Sequence, residues 1–229
     1  MSDWFEAHVV SISPAAENLV QLRLDVPPEV AASHTVPGQY VKLSVEGVGE
    51  GFFAIASRPS PSGNRIELLL KLGAPLPDAI RRLSPGAALR TTTAQGKGFP
   101  LDRARARDLV LVATGSGISP LRSVVEAVIA HRADFGKVSL YFGARTPASF
   151  AYREEWDAWR SGGIEVFPVV SRPQDTGWTG LTGYVQTHLG GVHLATALAF
   201  LCGQKAMVEA VKKTLTDQGV APESIFLNF

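Results

Sequence analysis

One stretch decides the fold of the second half of the chain: Leu111-Val112-Ala113-Thr114-Gly115-Ser116-Gly117-Ile118-Ser119-Pro120. An apolar run enters a glycine turn, and helical spacing follows, with Ser119 as the expected N-cap and Pro120 at the first helical position. Gly115 and Gly117 allow a backbone to approach a phosphate, and the helix start supplies free N–H groups. The pattern is GxGxxP and not the dinucleotide fingerprint GxGxxG, so an ordinary turn is a second interpretation.

From residue 109 onward, strand patterns alternate with helix patterns. The predicted strands are 109–113, 138–142, 164–170, 198–201 and 224–229, and the predicted helices are 119–130, 149–159 and 204–218. Near-continuous apolar strands are typical of a parallel sheet covered on both faces, so the pattern predicts a doubly wound α/β domain. Ligands bind such sheets at the carboxyl ends of the strands, where residues 143–146, 171–173 and 202–205 follow.

The first half has a different texture, in which short segments with the strand period are separated by Pro and Gly. These segments are residues 8–12, 19–24, 40–45, 52–56 and 65–72. Such a series predicts an antiparallel barrel or sandwich, and only residues 78–83 look helical. We therefore expect two domains: an antiparallel Greek-key barrel over residues 1–103 and a nucleotide-binding α/β domain over residues 104–229.

Composition excludes several classes of function. The 229 residues carry 22 Lys+Arg against 21 Asp+Glu, which leaves no electrostatic footprint for nucleic acid. No apolar run approaches the ~18 residues that cross a bilayer. We expect no membrane insertion and a cytoplasmic location, or the plastid stroma if a transit peptide has been removed. The single cysteine, Cys202, excludes a cysteine-built cluster, and the five histidines have no metal-binding spacing, so no metal site is expected.

Four stretches resemble the pyridine-nucleotide domain of the ferredoxin–NADP reductase family in order and spacing. They are residues 114–121 (TGSGISPL), 141–146 (YFGART), 170–173 (VSRP) and 202–207 (CGQKAM). The flavin-binding barrel of that family fits the first half, so the resemblance covers essentially the whole chain. Residues 52–57 and the Asn-Phe end are also similar to small plastid reductase-like proteins described as fruit proteins.

The resemblance implies a site for NADP or NAD at the strand ends. Its residues are Thr114, Gly115, Ser116, Gly117, Arg145, Ser171, Arg172, Cys202 and Gly203. The glycine turn would face the pyrophosphate, Cys202 and Gly203 would lie beside the nicotinamide, and Arg172 with Ser171 would pair with a 2′-phosphate. Two simpler interpretations stay open, namely Cys202 as a small core residue and Arg172 as a solvated charge. Thr182 stands where a basic residue would strengthen phosphate recognition, so NADH is an alternative to NADPH.

The resemblance also implies an FAD site on the barrel. Its candidate residues are Phe53, Ala54, Ile55, Ser57, Lys71, Gly73 and Gly98. Phe53 can stack on the isoalloxazine ring. The family pattern has an arginine where Gly51 stands and a hydroxyl where Ala54 stands, and the loop 73–77 loses N–H donors at both of its prolines. The cations that could compensate are Arg58, Lys71 and Arg81.

Two functions follow from the resemblance. The first is a flavin-dependent reductase in which NAD(P)H delivers hydride to bound FAD and electrons pass to an unidentified acceptor or partner protein. Cys202 would position the nicotinamide, and Phe229 would either shield the flavin face or plug the sheet edge. The alternative is a non-enzymatic nucleotide-sensing or assembly subunit whose flavin site has degenerated at Gly51, Ala54 and Pro77.

Overall fold

The computed structural model describes residues 3–60, 62–189 and 196–228, which form two six-stranded sheets in succession along the chain. The last strand of the first sheet ends at Thr92, and the first strand of the second begins at Leu109. The domain boundary expected between residues 103 and 104 falls in a short 3-10 turn, Leu101–Ala104, and stays a prediction. Within the described ranges, no helix has the length and apolar character needed to cross a membrane.

The first sheet is an antiparallel barrel. Its elements are β1 (Trp4–Ala16), β2 (Leu19–Asp25), α1 (Pro28–Ser33), β3 (Tyr40–Val45), β4 (Gly49–Ala54), β5 (Arg65–Lys71), α2 (Pro75–Ile80) and β6 (Ala88–Thr92). The strand order is β4-β3-β6-β1-β2-β5, and every pairing is antiparallel. Because β6 inserts between β3 and β1 after the chain has built β5 at the far edge, the topology is the Greek key that was predicted.

The barrel closes where the chain beyond β4 meets β5. Ile55 forms a bridge with Leu68, and the Ala56 amide donates to the Glu67 carbonyl at 2.7 Å. Closure leaves no free strand edge on this side of the barrel. It also fixes the end of β4, on which the flavin hypothesis depends.

The second sheet is parallel, with helices on both faces. Its elements are β7 (Leu109–Thr114), α3 (Ile118–Ala130), β8 (Val138–Ala144), α4 (Trp156–Ser161), β9 (Ile164–Val170), β10 (Leu181–Thr182), β11 (Leu198–Cys202), α5 (Lys205–Asp217) and β12 (Ile225–Leu227). Along β7, Leu109 and Leu111 enter one core cluster while Val110 and Val112 enter the cluster on the opposite face. Burial on both faces explains the continuous apolar run and confirms the doubly wound prediction.

The direction of winding reverses at β7. The strand order is β10-β9-β8-β7-β11-β12, so the chain first extends the sheet on one side of β7 and then returns to extend it on the other. The connection after β7 therefore runs to one side of the sheet, and the connection after β11 runs to the other. A crevice lies between the carboxyl ends of these two strands, at Thr114 and Cys202. In open α/β sheets, this switch point is where ligands bind.

The segment 149–159 does not form the single helix that its spacing predicted. Helix α4 begins only at Trp156 and is preceded by two short 3-10 turns. Between those turns, Tyr152 has a φ of 59°, a left-handed conformation that a continuous helix excludes. Its buried ring lies 4.8 Å from the guanidinium carbon of Arg122, so a tertiary contact has overridden the local helical pattern.

A buried arginine joins the two sheets. Arg122 of α3 has a side chain only 7% exposed, and it donates to the Ala56 carbonyl of the barrel at 3.2 Å. It pairs with Glu67 of β5 at 3.0 Å, and with Glu126 and Glu155 of its own domain at 2.8 Å each. One guanidinium thus binds carboxylates from both domains; we call these four side chains the Arg122 cluster.

The Arg122 cluster is electrostatically coupled. Burial alone would lower the pKa of Arg122, but the hydrogen bond to Glu155 and the charges of Glu126 and Glu155 raise it overall. Burial raises the pKa of Glu126 by more than the charge of Arg122 lowers it. Removing one member of a buried ion pair is costly because its partner keeps an uncompensated charge.

We expect Arg122→Met to lower the free energy of unfolding by about 3 kcal/mol, the low end for a broken buried ion pair, because the partly buried carboxylates lose their shared cation. The matched control is Arg23→Met, which removes a 45% exposed guanidinium from the same Glu67. Such a half-exposed pair contributes at most about 1 kcal/mol. Urea unfolding at about pH 7 measures both changes.

The destabilisation of Arg122→Met should shrink as the pH falls from about 7 to about 5. Burial raises the pKa of Glu126, and the charge of Arg122 opposes that rise, so without the arginine the pKa of Glu126 lies further above its value in the unfolded chain. The folded state then binds more protons than the unfolded state and gains stability as the pH falls. If Arg122→Met has the same free energy of unfolding as the wild type, or if the difference between them grows toward pH 5, the cluster does not hold the domains together.

Candidate functional site

A cleft of about 1980 Å³ lies between the barrel and the carboxyl ends of the parallel strands. Most ligand pockets measure roughly 300–1,000 Å³, so this cleft has room for two nucleotide-sized ligands side by side. It brings together most of the predicted site residues, namely Phe53, Ala54, Lys71, Gly98, Thr114, Gly115, Ser116, Gly117, Arg145, Ser171, Arg172, Cys202 and Gly203.

Three predicted flavin contacts lie outside this cleft. Ile55 is fully buried in the barrel core. The Ser57 hydroxyl accepts the Glu67 amide at 3.1 Å and so supports barrel closure. Gly73 lies on the loop after β5, where its amide is already hydrogen-bonded. Phe229 falls outside the described residues, and its role stays a prediction.

The glycine turn after β7 opens onto the cleft. Gly115 has a φ of 57°, and nothing lies within 4 Å of the position that its Cβ would take, so its backbone can meet a ligand. Gly117 is needed for another reason: a Cβ there would lie 2.2 Å from the Cys202 carbonyl oxygen. Its missing side chain lets the start of α3 pack directly on the end of β11.

Ser119 is not the N-cap that the sequence predicted. Helix α3 begins at Ile118, and its N-cap is Gly117. The Ser119 hydroxyl instead donates to the Ala54 carbonyl on the barrel at 2.9 Å. Together with the close approach of Gly117 to Cys202, this bond forms a continuous line of contacts from β4 to β11; we call Ala54, Ser119, Gly117 and Cys202 the interdomain row.

Cys202 ends β11, where it pairs with Ala113 of β7. It is 8% exposed, and burial raises the pKa of its thiol to about 12, so the thiol is protonated at neutral pH. At Gly203, with a φ of 156°, a Cβ would lie 2.2 Å from the Thr114 hydroxyl oxygen. That hydroxyl accepts the Gln204 amide at 3.1 Å, so Thr114 braces the turn that presents Cys202.

Two arginines lie side by side at the ends of β8 and β9. The Arg172 amide donates to the Arg145 carbonyl at 2.8 Å, and the Ser171 amide donates to the Ala144 carbonyl at 2.9 Å. Both arginines and Ser171 line the cleft. Within residues 3–60, 62–189 and 196–228, neither guanidinium has a carboxylate partner. Unpaired guanidinium groups beside a hydroxyl are suited to binding a phosphate.

Apolar groups occupy the barrel wall beside Gly51. A Cβ at this position would lie 3.2 Å from the Leu76 side chain and 3.4 Å from the Phe53 ring. The space in which the family's arginine would begin is therefore already packed. Phe53 lines the cleft while it packs against the barrel core, so it offers an aromatic surface to a flat ligand.

The loop after β5 has few donors left for a phosphate. Helix α2 begins at Pro75, earlier than the predicted residue 78, because proline is tolerated in the first turn. Pro75 and Pro77 have no N–H, and the Gly73 amide donates to the Asp78 carboxylate at 3.0 Å. A carboxylate of this chain thus takes the donor that a phosphate would use.

Sequence reasoning missed an aromatic group at the cleft. The rings of Tyr40 and Phe52 meet edge to face at 5.5 Å, and the Lys42 ammonium lies 5.0 Å from the Phe52 centroid. Phe52 is 63% exposed. An exposed aromatic residue that pairs with a lysine across β3 and β4 is the signal that could have identified this set.

Asn228 was also missed as a candidate site residue, although it belongs to the Asn-Phe end that carried part of the resemblance. Asn228 lines the cleft. Its side-chain oxygen is buried, has no hydrogen-bond partner within the part of the chain that the structure describes, and would lie 2.8 Å from a Cβ on Gly38. Because the protein covers this oxygen, Asn228 can offer a ligand only its other atoms.

The described residues therefore fit one part of a flavin and not another. Phe53 suits a flat ring held between the barrel and the interdomain row. Gly51 and residues 73–78, which the resemblance gives to the flavin diphosphate, do not line the cleft, and the Gly73 amide is already bonded to Asp78. On the nucleotide side, the open turn and the paired arginines fit NAD(P)H.

Residues 111–213 match the family model described as an oxidoreductase NAD-binding domain. The match runs from β7 into α5 and contains the glycine turn, both cleft arginines and Cys202. It thus covers the parts of the chain that form the nucleotide side of the cleft.

Two relatives match nearly the whole chain. Sulfhydrogenase 1 subunit gamma of Pyrococcus furiosus is 32% identical over 208 residues, which cover 87% of this chain and 70% of that protein. Fruit protein pKIWI502 of Actinidia deliciosa is 30% identical over 246 residues, which cover 98% of this chain and 76% of that protein. The match to both spans the barrel as well as the nucleotide domain.

A solved structure has the same fold from end to end. A ferredoxin NADP+ reductase from Neisseria gonorrhoeae, with bound FAD and NADP, matches with a TM-score of 0.83 at 20% identity, over 99% of this chain and 98% of that chain. At 20% identity this structure shows only a shared fold, whereas the two relatives, at 32% and 30%, also show a shared family. The chain belongs to the ferredoxin–NADP reductase-like family of NAD(P)H-dependent flavin oxidoreductases.

Proposed function

We propose that the chain transfers hydride from NAD(P)H to a bound FAD and passes the electrons to a separate acceptor. The observation that carries this proposal is the interdomain row, which connects the barrel wall beside Phe53 to the strand end at Cys202. Two flat rings held on these surfaces would lie next to each other, as hydride transfer requires. The flavin supplies the hydride-accepting ring when it is bound, and the protein supplies orientation.

NAD(P)H is held by the strand ends of the second domain. Gly115 and Ser116 line the cleft just before α3 and receive the pyrophosphate there, because a helix start presents backbone N–H groups to an anion. Arg145 and Arg172, with Ser171, bind the 2′-phosphate that distinguishes NADPH from NADH. The absence of carboxylate partners for these arginines among the described residues supports this assignment.

Cys202 positions the nicotinamide as a neutral thiol. A pKa of about 12 keeps the sulfur protonated, so Cys202 is not a nucleophile near neutral pH. Its small polarizable side chain packs against the ring, while Thr114 and Gly203 fix the backbone.

The flavin lies against the barrel. Phe53 and Ala54 contact its ring, and Gly98 and Lys71 line the adjoining wall. Asn228 lines the same part of the cleft.

The acceptor is a separate redox partner, because one cysteine cannot build a cluster in this chain. The Pyrococcus furiosus relative is named as a subunit of a sulfhydrogenase, which supports a partner protein as acceptor. A net charge of +1 provides no broad attraction for an acidic partner, so recognition depends on local contacts.

The purified protein should take up FAD, show the visible absorption bands of an oxidised flavin, and lose them when NADPH is added without oxygen. The physical reason is that the interdomain row holds the two rings in contact distance. Anaerobic spectrophotometry makes the measurement, and reduction of an artificial dye measures turnover.

A protein that binds nucleotide but takes up no flavin and reduces no dye would contradict the proposal. That outcome would favour the alternative of a nucleotide-sensing or assembly subunit, to which Gly51, Ala54 and Pro77 pointed.

Cys202→Ala should lower kcat for dye reduction about 10-fold or more and leave the FAD dissociation constant within about twofold, because it loosens only the nicotinamide. Cys202→Ser keeps the size of the side chain, so its kcat for dye reduction should fall less than that of Cys202→Ala. Because the thiol pKa is about 12, wild-type kcat should show no ionisation of this group between about pH 6 and pH 9. A dependence on pH near the ordinary thiol pKa that vanishes in Cys202→Ser would contradict a neutral role.

Arg172→Ala should raise the KM for NADPH about 10- to 100-fold, since a charge-assisted contact contributes roughly 1.5–3 kcal/mol. The KM for NADH should stay nearly constant because NADH lacks the 2′-phosphate. Arg153→Ala, which removes an exposed arginine outside the cleft, is the matched control. Equal losses with both nucleotides would place Arg172 elsewhere than at the 2′-phosphate.

A further inference from the structure

The barrel wall offers few groups that could hold a diphosphate, and the first such position is Gly51. The family pattern has an arginine here, and glycine supplies no side-chain donor. The Leu76 side chain lies 3.2 Å, and the Phe53 ring 3.4 Å, from the position of a Cβ on Gly51, so the surroundings of this position are apolar.

The second such position is the start of α2. Pro75 and Pro77 present no N–H, and the Gly73 amide is taken by the Asp78 carboxylate at 3.0 Å. Asp78 therefore occupies the Gly73 amide and adds a negative charge beside it, two residues along the chain from the cleft-lining Lys71. Because like charges repel at short range, a diphosphate that reached this turn would be disfavoured.

Few cations remain on the barrel side to compensate. Of Arg58, Lys71 and Arg81, only Lys71 lines the cleft, and Lys97 is the other barrel lysine that lines it. Both lysine residues are exposed. Solvent screens exposed cations, so each contributes little to holding a phosphate.

We propose that this site recognises the isoalloxazine and ribityl end of a flavin and does not select for the adenosine diphosphate end. Riboflavin, FMN and FAD then bind with similar affinity, and the flavin exchanges with solution. The inference rests on the proposed function, because it concerns the same flavin site, and it names the part of the ligand that the site recognises.

Isothermal titration of the full chain with riboflavin, FMN and FAD tests the inference. The three dissociation constants should agree within about threefold. A site that grips the diphosphate through charge-assisted contacts would instead bind FAD at least about 10-fold more tightly than riboflavin. That preference would overturn this inference and leave the proposed function intact, whereas no binding of any flavin would overturn both.

Asp78→Ala frees the Gly73 amide and removes the charge. It should tighten FAD binding about 10-fold while riboflavin binding stays constant, because riboflavin has no phosphate to meet the freed donor. Glu29→Ala is the matched control: Glu29 lies in the first turn of α1, the other barrel helix that begins with proline. Its replacement should change neither constant.

Lys71→Ala tests the competing explanation. If Lys71 anchors the diphosphate, its removal will weaken FAD binding about 10-fold and spare riboflavin, and the inference is then wrong. If the dissociation constants of riboflavin, FMN and FAD agree both in the wild type and in Lys71→Ala, that result supports the inference. Circular dichroism of each variant confirms that the barrel remains folded.

Discussion

The relative position of the two sheets depends on one buried cation. Arg122 reaches from α3 to the barrel carbonyl of Ala56 and to Glu67, while Glu126 and Glu155 hold it from its own side. A buried charge permits few arrangements, because every alternative leaves carboxylates without a partner. The cleft is formed by surfaces from both domains, so its shape depends on this cluster.

A second constraint is steric and acts at the centre of the cleft. Gly117 lets α3 approach the Cys202 carbonyl, and Gly203 lets the next turn pass the Thr114 hydroxyl. Any side chain at either glycine would push the strand end away from the helix start. Together with the hydrogen bond from Ser119 to Ala54, these contacts make the interdomain row a tightly packed line, which is the part of the structure that the proposed hydride transfer would use.

Local patterns predicted the architecture, because a strand buried on one face has apolar residues at every second position and a strand buried on both faces has a continuous apolar run. Residues 109–113 are an example of the second pattern. Contacts between distant residues could not be predicted in this way. Tyr152 breaks a helical pattern because its ring packs against Arg122, and Ser119 leaves the cap position because its partner, Ala54, lies in the other domain. Likewise, GxGxxP predicted phosphate binding at Gly117, which stays a prediction, but it gave no sign that this glycine also lets α3 pack on the Cys202 carbonyl.

The two halves of the cleft differ in a way that binding energetics explains. Among the described residues, the nucleotide side has an open turn and two arginines without carboxylate partners, while the barrel side has apolar packing at Gly51 and a Gly73 amide that is bonded to Asp78. Contacts with a remote diphosphate hold the ground state and the transition state equally, so losing them weakens retention without changing the barrier of the bound complex. Hydride transfer needs the ring beside Phe53 to face Cys202, and barrel closure and the interdomain row maintain that arrangement. Retention of the flavin and alignment of its ring are therefore separable in this fold.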